Sequence, residues 1–583
     1  MRQDTHPYQD STLSPSQRAN DLLSRLDLED KAGLMFQTMV SYGPLDQRNP
    51  AFGLPSLASM VVKRRLNHFN LIGAFESPGE MAAWQNAAQD LAAGCGIGIP
   101  ITFSSDPRHG FTDNPGTAIM AGPFSQWPEP LGLAAIGDPV VVEEFADTVR
   151  REYLAVGLRL ALHPQIDLAT EPRWSRVGGT FGEDATLSSV LAQAYVRGLR
   201  GPCLGPDSVS AMAKHFPGGG PQKDGEDAHF EYGKDQIYPA GQWDYHLKPF
   251  IAVIAAGVSQ IMPYYGRPVH TEYEEVGFGF NAGVLRGLLR GQLGFDGIIC
   301  TDWGLLTDVE LFGQPFPARA WGVEHLTREE RMLKALEAGI DQFGGELCSS
   351  VLVDLVRQGK VAESRLDESV RRLLVEKFRL GLFDNRHVDP SQADQVVGCE
   401  PFRAAGLAAQ RASVTVLKNT GAQLPLPDGL KVYTEGINPA SLGGLAAVVE
   451  DPAQADLALI RLKAPYEERG PGFESFFHAG SLEFSPALVA HLEELADKVP
   501  LVIDVYLDRA AVLAPLAGLT RALTVTYGTS DSAWVDVVFG RAQPKGRLPF
   551  DIPSSMAAVE ASRPDAPFDT ADPSYRFGDG LSY

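Results

Sequence analysis

Cysteine is scarce in this chain, and so is everything that would place it on nucleic acid or in a bilayer. Five cysteines occur among 583 residues: Cys95, Cys203, Cys300, Cys348 and Cys399. Their number is odd, they are scattered, and no CxxC or Cys/His spacing joins them. That argues against a disulfide framework or a zinc site and fits reduced thiols. Positive charge is short as well, with 50 Lys and Arg against 73 Asp and Glu and a formal net charge of -23. Such a surface repels nucleic acid and anionic membrane, leaving a neutral or cationic small molecule as the expected partner. The same charge also simply serves solubility. No apolar run approaches the roughly 18 residues that cross a bilayer. The stretch from Met1 to Ser16 is polar, without the apolar core of a secretory signal, so the expected location is the cytoplasm. Phosphate-cradling motifs are missing too: Gly218-Gly219-Gly220 fits neither GxGxxG nor GK followed by Ser or Thr, and reads as a flexible turn.

What is present is a rhythm. From Ser16 to Phe383 short apolar runs alternate with amphipathic segments, the pattern of βα units. The runs are Asn70–Phe75, Pro100–Ser105, Leu158–Asp167, Ser208–Phe216, Gly257–Tyr265, Asp296–Asp302 and Ala338–Phe343. Helical patterns lie between them at Pro139–Val156, Leu187–Leu199, Asn281–Leu293 and Arg328–Glu337. Seven or eight such units in about 370 residues match a TIM-type (β/α)8 barrel, although an open doubly wound sheet shares the local rhythm. The predicted organisation is a barrel over 1–385, a linker over 386–399, an αβα sandwich over 400–555 and a docking tail over 556–583. The sandwich rests on strands at Lys431–Thr434, Asp456–Leu462, Leu501–Leu507 and Ala522–Gly528. Helices are expected at Pro486–Asp497, Arg509–Leu516 and Ser532–Phe539.

Polar groups end the barrel runs. Asp302 closes Ile298-Ile299-Cys300-Thr301, Asp106 follows Ser104-Ser105, and Lys214 and His215 close Ala211-Met212-Ala213. Tyr265 ends Ile261-Met262-Pro263-Tyr264, and Arg173 and Arg176 follow Ile166-Asp167-Leu168. In a closed parallel barrel these ends share one mouth. Carboxylate, guanidinium, ammonium, imidazole and phenol together supply the donors and acceptors that sugar hydroxyls require. Each has a plainer reading: Asp106 as a turn before Pro107, Arg173 or Arg176 paired with Glu183 or Asp184, Lys214 and His215 as an exposed strand end, Asp302 as a helix cap.

These segments resemble the retaining β-glucosidases of glycoside hydrolase family 3 over nearly the whole chain. The resemblance is carried by Leu26-Asp27-Leu28-Glu29-Asp30-Lys31-Ala32-Gly33, Asp106-Pro107-Arg108-His109-Gly110 and Glu171-Pro172-Arg173-Trp174-Ser175-Arg176 with Phe181-Gly182-Glu183-Asp184. It continues in Lys214-His215-Phe216-Pro217-Gly218-Gly219, Thr301-Asp302-Trp303, Lys545-Gly546-Arg547-Leu548-Pro549 and Phe577-Gly578-Asp579-Gly580-Leu581-Ser582-Tyr583. It implies Asp302 as nucleophile, Asp106, Arg176, Lys214, His215 and Tyr265 around the sugar, and Trp303 on the leaving-group side. It further implies an acid/base glutamate in the second domain, at Glu468 within Pro465-Tyr466-Glu467-Glu468, with Glu467, Glu474 and Glu483 as neighbours in the same loop. No cofactor or metal is implied, and a second copy of the chain is the one protein partner left open. The sequence departs from the family at Ser175, where glycine is usual. It also carries Asp227-Ala228-His229, similar to the Asp-x-His acid/base dyad of the family's β-N-acetylglucosaminidases. That enzyme, and a non-catalytic carbohydrate-binding protein on the same fold, are the alternative readings.

Overall fold

The computed structural model describes residues 6–107, 109–112, 118–311 and 313–583. Eight parallel strands follow one another around the first sheet: β1 (Phe36–Ser41), β2 (His68–Ile72), β3 (Thr102–Ser105), β4 (Leu158–Ala161), β5 (Ser210–Phe216), β6 (Gln260–Pro263), β7 (Ile298–Ile299) and β8 (Phe343–Gly344). β8 pairs with β1, and a parallel bridge between Cys300 and Gln342 joins the β7 and β8 ends. Thr301 donates to the Gln342 carbonyl at 2.9 Å and Phe343 to that of Met35 at 2.8 Å. The sheet is therefore a closed TIM-type barrel. Closure depends on a glycine: a Cβ at Gly344 would fall 2.4 Å from the Thr301 carbonyl oxygen.

β1, at Phe36-Gln37-Thr38-Met39-Val40-Ser41, was not among the expected runs because Gln37 and Thr38 interrupt its apolar character. Both are buried, and Gln37 donates to Ser104 Oγ across the barrel at 2.8 Å. A barrel interior can hold polar side chains when strands two positions apart satisfy each other. The helices expected at Pro139–Val156, Leu187–Leu199 and Arg328–Glu337 form over Pro139–Ala155, Ala185–Arg200 and Arg328–Ala338, and the one expected at Asn281–Leu293 is wound as a π-helix over Gly283–Gln292. At the amino ends of the strands Lys377 is buried and donates to the carbonyls of Asn67 and Pro100 and to Thr102 Oγ1 at 2.7–3.1 Å.

The stretch after the barrel is not a bare linker. Pro390–Val396 is helical, Asp394 accepts from the Gly79 amide at 2.8 Å, and the Gly398 amide donates to buried Glu152 at 2.6 Å. The second sheet has order β9-β14-β13-β12-β10-β11. Its strands are β9 (Thr415–Asn419), β10 (Leu430–Glu435), β11 (Ala446–Val448), β12 (Leu457–Lys463), β13 (Leu501–Tyr506) and β14 (Ala522–Thr526). All are parallel except β9, which runs against β14. The expected helix over Arg509–Leu516 begins later, at Ala514. Arg509 is instead buried, its guanidinium donating to the carbonyls of Arg173, Gly480, Pro465, Ala479 and Ser481 at 2.7–3.0 Å. The C-terminal residues lie on this domain: Leu581 donates to the Val416 carbonyl at 2.8 Å and Tyr583 Oη to that of Val537 at 2.6 Å.

Candidate active site

The carboxyl ends of the barrel strands converge on a buried polar cluster. Lys214, on β5, donates to Asp106 Oδ1 at 2.7 Å, and His163 Nδ1 lies 3.3 Å from the same oxygen. Asp106, Lys214 and His215 are each no more than 5% exposed, so neither a surface turn nor an exposed strand end describes them. Arg108, within the same motif as Asp106, lies outside the described residues.

His215 is held from behind. Its Nδ1 lies 2.8 Å from Asp167 Oδ2, while Asp167 Oδ1 accepts from the amides of His215 (3.1 Å) and Gly219 (2.5 Å). Burial, with Arg176 beside it, pushes the His215 pKa well down despite Asp302. The imidazole is therefore neutral, and Nε2 faces Asp302 Oδ2 at 3.8 Å. Gly218-Gly219-Gly220 is no flexible turn: all three are buried, and a Cβ at Gly220 would stand 1.9 Å from the Leu168 carbonyl oxygen. Glycine is needed there for close approach.

Asp302 follows β7 and caps no helix. Its Oδ1 accepts from the Trp303 amide at 2.7 Å, and that amide also reaches Tyr265 Oη at 2.9 Å. Tyr265 Oη in turn donates to the Trp303 carbonyl at 2.9 Å. Burial and the Asp302 charge raise the Tyr265 pKa far above the phenol range, which keeps it protonated. Asp302 Oδ2 is buried without a hydrogen-bond partner among the described residues.

Arg176 is the cluster's buried cation. Burial opposes its charge, but Tyr264, Asp227, Asp302 and Asp167 outweigh that and raise its pKa. Its Nη1 is also buried without a partner among the described residues. The expected pairing of one arginine with Glu183 or Asp184 does not form: Arg173 pairs with Glu171 at 2.8 Å.

The Asp227-Ala228-His229 motif is assembled as well. His229 Nδ1 lies 2.6 Å from Asp227 Oδ1, and Asp227 Oδ2 accepts from Trp174 Nε1 (2.9 Å) and Tyr264 Oη (3.1 Å). Burial would raise the Asp227 pKa, but His229 and Arg176 hold it well below the carboxylate range. Burial lowers that of His229 in spite of Asp227. The pair at neutral pH is thus a carboxylate and a neutral imidazole. The His229 ring lies 4.6 Å from that of Tyr265, centroid to centroid.

A cavity of about 680 Å³ spans the two domains above the cluster; Asp106, Arg176 and His229 line it from the barrel, and Lys463, His478 and Asp508 from the sandwich. His478 Nδ1 lies 2.5 Å from Asp508 Oδ2. Glu468 is exposed, and no hydrogen bond or ion pair among the described residues links it to the cluster. Its neighbours are tied down. Arg469 pairs with Glu226 of the barrel, Glu467 accepts from the Ser481 amide at 3.1 Å, Glu474 accepts from Tyr232 Oη, and Glu483 from the Met556 amide at 3.5 Å. The structure thus gathers Asp106, Arg176, Lys214, His215, Tyr265, Asp302 and Trp303 and leaves Glu468 at the rim. His163 and Asp167 lie outside the site residues expected from the sequence, although Asp167 ends the apolar run Leu158–Asp167. His478 and Asp508 carried no signal, since they are 30 residues apart and meet only through folding.

Comparison with known proteins agrees with this geometry. Residues 56–375 match the glycosyl hydrolase family 3 N-terminal domain and residues 428–583 the family's C-terminal domain. The chain is 50% identical to a probable beta-glucosidase C of Aspergillus flavus, across all of this chain and 93% of that one. It is 41% identical to a periplasmic beta-glucosidase/beta-xylosidase of Dickeya chrysanthemi, covering 99% and 92%. Among solved structures, a β-glucosidase from Erythrobacter marinus superposes with a TM-score of 0.80 at 21% identity, covering 100% of this chain and 84% of that one. A β-glucosidase mutant from Listeria innocua in complex with laminaribiose gives 0.77 at 22% identity, covering 97% and 83%.

Proposed function

The chain belongs to glycosyl hydrolase family 3, and from that premise we propose a retaining, exo-acting β-glucosidase that releases glucose from the non-reducing end of β-glucosides or oligosaccharides. Identity of 50% to a probable beta-glucosidase C over the full chain supports the substrate class. The observation that carries the site assignment is that Asp302 Oδ2 and Arg176 Nη1 are buried without a hydrogen-bond partner among the described residues, in a cluster otherwise rich in hydrogen bonds. A buried polar atom left unpaired costs about 1–3 kcal/mol, a cost that a substrate making those contacts offsets.

In this reading Asp302 attacks the anomeric carbon while a proton donor assists the leaving oxygen, giving a covalent α-glucosyl ester. Water then releases β-glucose with the donor acting as base. Asp106, Lys214, His215 and Arg176 hold the sugar hydroxyls, Tyr265 orients Asp302 through the Trp303 backbone, and Trp303 walls the leaving-group side. Glu468 is assigned as the donor. Its loop is anchored to the barrel by Arg469–Glu226, which keeps Glu468 at the rim of the cavity that holds the cluster. A second assignment, His229 backed by Asp227, is favoured by their 2.6 Å contact and the packing on Tyr265. Against it stands the direction of the His229 pKa, which burial lowers and which therefore disfavours the imidazolium that a strong proton donor presents.

Trapping with a 2-deoxy-2-fluoro-β-glucoside and peptide mapping should place the label on Asp302. Label elsewhere, or product of inverted anomeric configuration, would overturn the mechanism. Assaying nitrophenyl β-glucoside, β-xyloside and β-N-acetylglucosaminide in parallel fixes the glycone. For the donor, Glu468→Ala should spare substrates with good leaving groups and regain turnover with azide. That behaviour in His229→Gln instead would move the role to the dyad.

A further inference from the structure

Arg319 is a buried cation with unusual partners. It is 5% exposed, yet among the described residues its guanidinium meets no carboxylate at ion-pair distance. Nη2 donates to the Trp303 carbonyl and Nη1 to that of Pro317 at 3.3 Å, while Nε is buried without a hydrogen-bond partner among the described residues. Glu346, whose carboxyl feels the guanidinium charge, is itself turned to the amides of Leu306 and Thr307 at 2.7 and 3.2 Å. A guanidinium is costly to bury, and a paired carboxylate is the ordinary compensation. Holding the fold together is therefore a weak reason for a cation here.

The surrounding chain is built to bring it there. Arg319 follows a short antiparallel ribbon, Val309–Leu311 with Gln314–Phe316, and lies over the Phe316 ring, 4.3 Å from its centroid. Its amide donates to the Gly304 carbonyl at 3.0 Å, and the Ala318 amide to Asp308 at 2.8 Å, which sews this segment to the loop that leaves Asp302. Glycine at 304 admits the guanidinium: a Cβ there would fall 2.3 Å from Nη2.

Trp303 links this cation to the reaction. Its N–H donates to Asp302 Oδ1 at 2.7 Å. Its carbonyl belongs to the next peptide plane, whose other end, the Gly304 amide, donates to the Gly344 carbonyl at 3.1 Å. Tyr265 Oη bridges the two planes, accepting from the Trp303 N–H and donating to the Trp303 carbonyl, both at 2.9 Å. Arg319 holds the same carbonyl with a charge-assisted bond and covers the Tyr265 ring, 5.5 Å from its centroid. Resting on the β-glucosidase reading, we infer that Arg319 is a positioning residue for the nucleophile. No hydrogen bond or ion pair joins it to Asp302 among the described residues; it acts through Trp303 and Tyr265. By fixing that carbonyl and the phenol it fixes the amide on Oδ1, and so the direction from which Oδ2 meets the anomeric carbon. A misplacement of about 1 Å is enough to slow attack about a hundredfold.

The test isolates the attack step. Inactivation by 2-deoxy-2-fluoro-β-glucosyl fluoride, whose leaving group needs no acid, separates the dissociation constant of the reagent from the rate constant of attack. In Arg319→Met the rate constant should fall about 10–100-fold, the range for losing a charge-assisted hydrogen bond. The dissociation constant, and inhibition by glucose, should change less than about threefold. Arg319→Lys keeps the charge and one donor and should regain part of the rate. Tyr265→Phe breaks the same bracket from its other side, so adding Arg319→Met to it should slow attack by less than about threefold more. Arg319→Gln, which retains a neutral donor, should show an intermediate loss and covers the case in which Arg319→Met misfolds. A residue that only braces the ribbon would alter binding or the melting temperature and leave the attack constant alone. An unchanged attack constant in folded Arg319→Met or Arg319→Gln, a lysine variant no faster than the neutral ones, equal losses in attack and binding, or losses that multiply with Tyr265→Phe would overturn the inference and leave the glucosidase reading intact. A wild type that the reagent does not label on a carboxylate would instead sink the glucosidase reading.

Discussion

Asp302 and the groups behind it show how single residues divide the work. Asp302 is held by one backbone amide, and its other oxygen has no hydrogen-bond partner among the described residues. Replacing it with Asn should therefore remove four to six orders of magnitude of activity, about the cost of losing a covalent nucleophile, while the melting temperature stays close to that of the wild type. Asp167 touches no substrate in this reading; it fixes the tautomer and tilt of His215 through its 2.8 Å contact. Asp167→Asn should lower kcat/KM by about 10–100-fold, the worth of one hydrogen bond to a charged group. The same substitution should also shift the pH profile, because the imidazole loses its orienting anion. A loss without any change in the profile would mark Asp167 as merely structural. Asp106, Lys214, His215, Tyr265 and Asp302 were legible in the sequence because each ends an apolar run, and a barrel turns sequence ends into spatial neighbours. Glu468 was not comparably legible. Loop residues of the sandwich obey no period, and only family resemblance distinguished it from Glu467, Glu474 and Glu483.

At the scale of elements, the loop after β12 depends on one buried cation. Arg509 gathers carbonyls from both flanks of that loop and from Arg173 of the barrel. Burial lowers its pKa to about 10, still charged at neutral pH. Arg509→Met should destabilise the protein by about 2–4 kcal/mol, since several buried carbonyls lose a charge-assisted donor together. Limited proteolysis should then cut first within residues 465–481. Cleavage elsewhere, or an unchanged melting curve, would contradict this role. Arg509 also explains why the expected helix at 509–516 starts late: the residue is committed to carbonyls outside its own segment, which helical periodicity cannot reveal. β1 is not legible as an apolar run for the converse reason: its polar Gln37 is satisfied inside the barrel. Strands buried on both faces, such as β13, which opens Leu501-Val502-Ile503, are legible as apolar runs even where one carboxylate, Asp504, interrupts them.

Across the whole molecule, the C-terminal segment is bound to the barrel through two buried groups that titrate in opposite directions. Glu183 accepts from the amides of Asp551 (2.6 Å) and Phe568 (2.8 Å), and burial, with Asp551 and Asp184 nearby, pushes its pKa up to about 8. His246 Nε2 lies 3.0 Å from the Asp565 carbonyl oxygen, and burial pulls its pKa down to about 4 although Asp565 and Asp167 favour its charge. A carboxyl raised on folding binds protons more tightly than the unfolded chain does. Its contribution is complete below the ordinary value of 4.5 and declines as the pH rises to about 8. Asp551, also raised by burial, acts in the same sense. A histidine lowered on folding behaves in reverse: its contribution is complete above 6.5 and declines as the pH falls to about 4. Between 4.5 and 6.5 the two slopes oppose each other, so docking of the segment should be most stable there and weaken on either side. Glu183→Gln keeps an acceptor for one amide and removes the titration. Its melting temperature should fall less than that of the wild type between pH 6.5 and 8, with little difference between the two proteins' slopes below pH 4.5. His246→Gln should instead lessen the acid-side loss and leave the alkaline slope unchanged. Parallel pH profiles for wild type and Glu183→Gln would show that this carboxyl does not govern how the barrel holds the chain's end.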